Sequence, residues 1–382
     1  MILKLKYIDA LRAFAILGVL MVHNNQYGTN IYPALIENVF NKGALGVQLF
    51  YIASAFTLFL SLSQRSYKNT ISNTEFFIRR YFRIAPMYYL AILYFLYQNG
   101  LGPRVSLGDV TFISVSNVIS NFLLIHGLSP YYINSVVPGG WSVAIEILFY
   151  CCVPFLFSKI KSLNSAVLFF IFTLIIRVVL YFILKKCQIG NNSDFWETYL
   201  QMYFPSQMPV FACGIILYFL IVTPKIEWAI NTTLIFGVAI LLLIDLLYLK
   251  ELFFPTHIKF ALCFTLLAYS LAQKPFGFLV NSVTTYIGKI SYSMYFIHFA
   301  VLWYLQKWNF IDLVPTYRNF GLNLLNFGVR YFLLLLITTI LATITYNIIE
   351  VPFQDLGKKI ILKRRIWLDR NSNLTTSSIS KK

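Results

Sequence analysis

A chain of 382 residues with 58% hydrophobic and only 12% charged residues is no ordinary soluble domain, since such domains carry about 25% charge. It is not a disordered chain either, because disorder requires low hydrophobicity and high charge. Thirty-one Lys and Arg stand against 14 Asp and Glu, a net charge of +17. No basic stripe on a soluble scaffold accompanies that excess, so it indicates no nucleic-acid partner and is read against the membrane instead.

A spanning helix needs about 20 mostly apolar residues. In chain order, such stretches fall at 8–22, 46–62, 84–97, 141–157, 165–184, 207–222, 229–249, 257–272, 286–306 and 327–349. The fold expected is an all-α polytopic membrane protein with about ten transmembrane helices in a lipid bilayer. The stretch 111–128 carries Ser114, Ser116, Asn117, Ser120, Asn121 and His126. It is too polar to face lipid and is read as a non-spanning or re-entrant element, tolerated where protein covers it.

Charge orients these spans. With both termini cytoplasmic, 19 basic residues fall in the proposed inner segments and 8 in the outer loops, as the positive-inside rule requires. Counting 111–128 as a span would put Lys159 and Lys161 outside and displace the basic C-terminal tail. The chain divides into a membrane unit, 1–356, and a basic cytoplasmic tail, 357–382, whose Ser/Thr/Asn/Lys-rich end from Asn371 favours disorder. Arg12 interrupts the first apolar stretch and no small-x-small site follows before His23, so this helix is retained rather than cleaved. The five cysteines show neither metal-ligand spacing with His nor a disulfide framework, and no metal is expected. No internal repeat is visible, which counts against a transporter.

Charged and titratable groups inside spans are functional candidates by default. Arg12 and His23 are eleven residues apart, about 1,100°, so they share a helix face at depths roughly 16 Å apart. They equally fit a snorkelling Arg and a headgroup-level His. Arg80 and Arg83, i and i+3, lie at the cytoplasmic end of the third span and fit either phosphate recognition or a positive-inside anchor. Ser142, Glu146 and Tyr150 line one face at i, i+4 and i+8. Trp141 beside them also fits an interfacial belt. Ser291, Tyr295 and His298 share a face of the ninth span, where a lone His is more often structural than catalytic. Arg177 and Asp245 are further intramembrane charges that are able to pair.

Six stretches, in order from residue 7 to 353, carry a resemblance. They are Tyr7-Ile8-Asp9-Ala10-Leu11-Arg12 with His23, Gly46-Val47-Gln48-Leu49-Phe50-Tyr51, and Arg80-Tyr81-Phe82-Arg83. Trp141-Ser142-Val143-Ala144-Ile145-Glu146, Ser291-Tyr292-Ser293-Met294-Tyr295-Phe296-Ile297-His298 and Ile349-Glu350-Val351-Pro352-Phe353 complete the set. Together the chain resembles the integral-membrane acyltransferase family three. It departs from the family pattern at Gln48 and Ala55, where acidic and glycine residues are common; Gln48 is a place for altered substrate contacts.

The resemblance implies transfer of an acyl group, acetyl by expectation, from cytoplasmic acyl-CoA (acetyl-CoA) to a hydroxyl. The acceptor expected is a bacterial cell-surface polysaccharide or its lipid-linked precursor, as in O-antigen and lipopolysaccharide biosynthesis. It places the chain in the bacterial inner membrane, in the form without a fused hydrolase-like domain. Phe, Tyr, Ile and Asn usage agrees with an AT-rich bacterial gene. His23 is the expected base, with Glu146 orienting it or binding the acceptor, and His298 a second base or oxyanion donor. Arg12, Arg80 and Arg83 are expected to hold the coenzyme. Trp141, Ser142, Ser291 and Tyr295 are expected to meet substrate. A flippase or transporter for a lipid-linked sugar, and an acyltransferase acting on a small molecule, are the competing readings.

Overall fold

The computed structural model describes residues 5–28, 31–67, 72–103, 111–188, 193–222, 255–315 and 319–379, with five isolated positions between 233 and 247. Among the described residues every regular element is helical. In chain order the α-helices are α1 Lys6–Asn25, α2 Ala34–Asn41, α3 Gly46–Tyr67, α4 Asn73–Asn99, α5 Val115–Phe122, α6 Gly140–Lys159 and α7 Leu163–Lys186. They continue with α8 Ser193–Met202, α9 Phe204–Val222, α10 Thr256–Gln273, α11 Ser282–Lys307, α12 Phe320–Thr345 and α13 Val351–Ile379. A π-helical turn, Tyr346–Glu350, joins the last two, and α13 runs on into the Ser/Thr/Asn-rich tail.

Polar residues at the expected starts set the helix boundaries. Ser72 accepts from the Glu75 N–H at the head of α4, and Ser114 does the same for Asn117 at α5. Ser162 with Ser165 and Asn281 with Thr284 close reciprocal capping boxes on α7 and α11, which satisfies orphan N–H groups that lipid leaves unpaired. Six helical stretches are long and apolar enough to cross a membrane: 6–25, 34–67, 140–159, 163–186, 193–222 and 320–368. α4, α10 and α11 cover three further expected spans; at 27, 18 and 26 residues they are about 27–40 Å long. The expected span at 229–249, and with it Asp245 as a partner for Arg177, lies outside the described residues. The Arg177 guanidinium sits 5.9 Å from the Tyr181 ring centroid instead.

The stretch 111–128 folds as the eight-residue α5 and a 3-10 turn, His126–Leu128. Eight residues rise about 12 Å, well short of a bilayer core. Its polar residues bond to neighbouring segments. Ser135 donates to Asn117 Oδ1 at 2.8 Å, and Tyr88 donates to Asn121 Oδ1 at 2.9 Å. His126 Nε2 lies 2.8 Å from the Tyr88 oxygen and 3.1 Å from the Gly140 carbonyl. This buried network fastens α4 to the first residue of α6.

The core is a bundle with α1 against α3 and α11, and α9 against α3 and α7. Tyr51, Phe211 and Phe149 stack in sequence, with centroids 4.4 and 4.0 Å apart, tying α3, α9 and α6 together. Gly288 lets α11 close on α1: a Cβ there would strike the Asp9 carbonyl, the small-residue contact by which helices associate in lipid. On α7 only 6% of the apolar window is buried, so most of this helix's apolar surface faces away from the bundle. None of the five cysteines, all among the described residues, forms a disulfide.

Candidate functional site

Two cavities lie within the bundle. The first is lined by Arg12, Arg80, Arg83, Glu146 and Tyr150, with Ser54, Thr57, Ser142, Ser291 and Tyr295 among its further walls. α1, α3, α4, α6 and α11 all contribute. Three guanidiniums face it with one carboxylate, so its net charge favours an anion. Arg12 is tethered to Asp9 at 3.1 Å and to Thr57 at 3.4 Å. Glu146 is held by Ser54 Oγ at 2.5 Å and the Tyr150 hydroxyl at 2.7 Å. Arg80 lies over the Phe76 and Tyr150 rings, 5.9 Å from each centroid, and its buried Nε has no hydrogen-bond partner.

A neighbouring pairing keeps Arg80 and Arg83 available. Glu75, one turn earlier on α4, is taken by Arg365 of α13 through two 2.6 Å bonds and by Arg79 at 3.3 Å. Among the described residues neither Arg80 nor Arg83 forms an ion pair.

The second cavity is lined by His23, Gln26, Asn134, Trp141, Tyr295 and Phe299, with Val19, Val47, Met202 and Pro138 among its apolar walls. Val47 and Tyr295 line both cavities. His23 Nδ1 lies 2.8 Å from Gln26 Oε1. An amide oxygen only accepts, so Nδ1 carries the hydrogen and Nε2 keeps its lone pair. Arg12 and His23 thus sit on one helix, roughly 16 Å apart, each in its own cavity.

Ser142, Ser291 and Tyr295 gather around the first cavity, and Trp141 turns into the second. The Tyr295 hydroxyl accepts from Ser142 Oγ at 2.9 Å and donates to the Gly139 carbonyl at 3.1 Å. Gly139 has φ 72°, and a Cβ there would lie 2.8 Å from that hydroxyl, so only glycine fits without strain. His298 is fully buried, its ring centroid 5.2 Å from that of His23. Glu146 stands with the arginines; the polar partner of His23 is Gln26. Gln48 donates to Gln207 at 3.1 Å, a link between α3 and α9.

Sequence reasoning missed Arg330. It is fully buried and donates to Asn24 Oδ1, the Asn24 carbonyl and the Ile311 carbonyl at 3.0–3.1 Å. It thereby adds a charged donor to the Asn24 carbonyl at the end of α1, next to His23. Its charge inside the 327–349 stretch was the available signal. Gln26 and Asn134 were also missed, because both sit in irregular segments without periodicity.

The donor set around the first cavity suits a phosphate-bearing ligand, because guanidiniums bond phosphate oxygens bidentately and an unpartnered Nε awaits an acceptor. Among the described residues no group of three His, Cys, Asp or Glu side chains is placed to hold a metal ion. A family model described as an acyltransferase domain matches residues 5–347. The O-acetyltransferase OatA of Staphylococcus aureus is 25% identical over 384 residues in strain NCTC 8325 / PS 47, and equally so in strain COL. Each alignment covers 92% of this chain and 57% of the relative, so the chain spans under two thirds of the length of these curated relatives. No solved structure matches it.

Proposed function

The chain belongs to the membrane acyltransferase family whose model it matches, and from that premise we propose that it is an O-acyltransferase moving an acyl group, acetyl by preference, from acyl-CoA to a hydroxyl of a glycan or lipid-linked glycan. The observation that carries this is the pair of cavities sharing Val47 and Tyr295, one lined by three arginines and the other by His23. A charged donor and a neutral acceptor need such different pockets, and transfer needs the pockets to touch. The positive-inside count puts the arginines on the cytoplasmic side, where the coenzyme is made.

Arg80 and Arg83 hold the phosphates by charge-assisted hydrogen bonds, and Arg12 steadies the arm that passes Tyr295. His23 Nε2 takes the proton of the acceptor hydroxyl as that oxygen bonds to the thioester carbonyl carbon. The carbon–sulfur bond then breaks, and the leaving thiolate recovers the proton from His23. Gln26, bonded to Nδ1–H, keeps the ring in the tautomer with Nε2 free. Glu146 offsets part of the arginine charge and holds Tyr150 and Ser54 in place. His298 acts behind His23, since it lines neither cavity.

The test is His23→Ala in purified protein with labelled acetyl-CoA. Acyl transfer is expected to fall by about 10²–10⁴-fold, the worth of a positioned base. Near-normal turnover at normal abundance overturns the assignment. Mass spectrometry of surface glycans from a deletion strain identifies acyl group and acceptor together.

A further inference from the structure

We propose that Asn134 is an acceptor-recognition residue: its side-chain amide bonds a second hydroxyl of the acceptor, beside the one that His23 activates. This rests on the acyltransferase reading. Asn134 lies in the irregular stretch between the His126–Leu128 turn and α6, and it lines the cavity that holds His23. Its Oδ1 is shut off from solvent and accepts no hydrogen bond. A buried acceptor left without a donor is destabilising. An amide not locked by a partner turns about its terminal torsion when a donor arrives, which relieves the cost.

The backbone carrying Asn134 is firmly held. Ser135, the next residue, donates to Asn117 Oδ1 at 2.8 Å, and Ile133, the residue before, bonds back to Ser129 at 3.0 Å. The amide therefore has a fixed origin and a free end. The rest of the cavity names the chemical class. Trp141, Phe299 and Tyr295 supply aromatic surfaces, and Gln26 and Asn134 supply amides. Aromatic rings match the C–H faces of a sugar ring, and amides that both donate and accept match its hydroxyl edge. None of these groups is charged, so the occupant is a neutral polyol ring.

The experiment measures acetyl transfer from labelled acetyl-CoA to methyl β-D-glucopyranoside and to its monodeoxy analogues, using full-length protein in detergent. With the unaltered protein, removal of one hydroxyl other than the acylated one raises the acceptor KM by about tenfold or more. N134A raises the KM for the parent glucoside by a similar factor and no longer distinguishes that deoxy analogue, the non-additivity of a direct contact. N134D, which keeps an acceptor oxygen, restores the distinction. The N134A unfolding temperature and its KM for acetyl-CoA, compared with the unaltered protein, separate this result from misfolding. Transfer by N134A that still discriminates the analogue as before overturns the contact and leaves the transferase reading standing. No transfer by the unaltered protein to any probe overturns both.

Discussion

His23 and His298 present their rings 5.2 Å apart, and each directs Nδ1 at an oxygen that only accepts, Gln26 Oε1 at 2.8 Å and the Met294 carbonyl at 3.1 Å. Both are thereby fixed as Nδ1–H tautomers with Nε2 bare. His298 Nε2 has no hydrogen-bond partner and is fully buried, whereas His23 faces a cavity. The two imidazoles have the same tautomer but different access, and access is what separates a base from its support. Gln26→Leu removes the acceptor that fixes His23. The expected result is a loss of about tenfold in kcat, with the KM for acetyl-CoA unchanged. A wild-type kcat in this variant would show that the Nδ1 bond does not set the tautomer.

Arg80 and Arg83 are separable from general membrane anchoring by their geometry. They share a helix face, they line a cavity, and the nearest carboxylate on α4, Glu75, is already engaged by Arg79 and Arg365. Arg80→Lys keeps the charge but loses the planar fork. The KM for acetyl-CoA is expected to rise about tenfold while the acceptor KM holds, as measured by initial rates with each substrate varied. Equal rises in both KM values would assign these residues to folding.

Glu75 ties the start of α4 to α13. Hydrogen bonds from Arg365, then its charge and that of Arg79, hold the carboxyl below the usual carboxylate range against the opposing effect of burial. A carboxyl depressed on folding contributes stability that is complete above its unfolded value, near 4, and is lost as pH falls through the folded value. The unfolding temperature of detergent-solubilised protein is therefore expected to drop below about pH 4. Glu75→Gln is expected to lose that component and to cost about 1–2 kcal/mol at pH 7, a figure discounted because Arg365 is 43% exposed and screened by solvent. An unchanged acid transition in the variant would remove Glu75 as its source.

Much of this arrangement was readable in the sequence. Nine of the ten expected spans coincide with helices because a 20-residue apolar run has few other solutions in lipid. The Arg12–His23 face follows from helical periodicity, and the polar 111–128 stretch does fold as a short element whose Asn117, Ser120 and Asn121 are buried. What periodicity cannot give is which helices adjoin. Glu146 was expected either to orient His23 or to bind the acceptor. The structure puts it with Ser54 of α3 and the arginines, a relation between helices 92 residues apart in sequence. Arg330 escaped notice for a similar reason. Its partners, Asn24 and Ile311, lie on other segments. Asn134 and Gln26 carry no local pattern at all, and only the cavity they share with His23 marks them.

Tyr295 divides the two cavities, and its ring and hydroxyl have separable roles. The hydroxyl joins Ser142 Oγ to the Gly139 carbonyl, but Ser142 also donates directly to that carbonyl at 3.0 Å. Tyr295→Phe therefore leaves Ser142 satisfied and keeps the wall filled. Acyl transfer is expected to fall by less than about tenfold, the worth of one hydrogen bond. Tyr295→Ala removes the ring, and with it much of the surface that both cavities share with Val47. Water from the His23 side then reaches the thioester ahead of the acceptor hydroxyl, because active sites suppress hydrolysis by excluding water. The ratio of free coenzyme released to acceptor acylated is expected to rise about tenfold or more, read by a thiol-reactive dye alongside labelled product. If that ratio stays constant while total turnover falls, the ring is a packing element and the boundary between donor and acceptor lies elsewhere, with Val47 and Phe50 the next side chains to shorten.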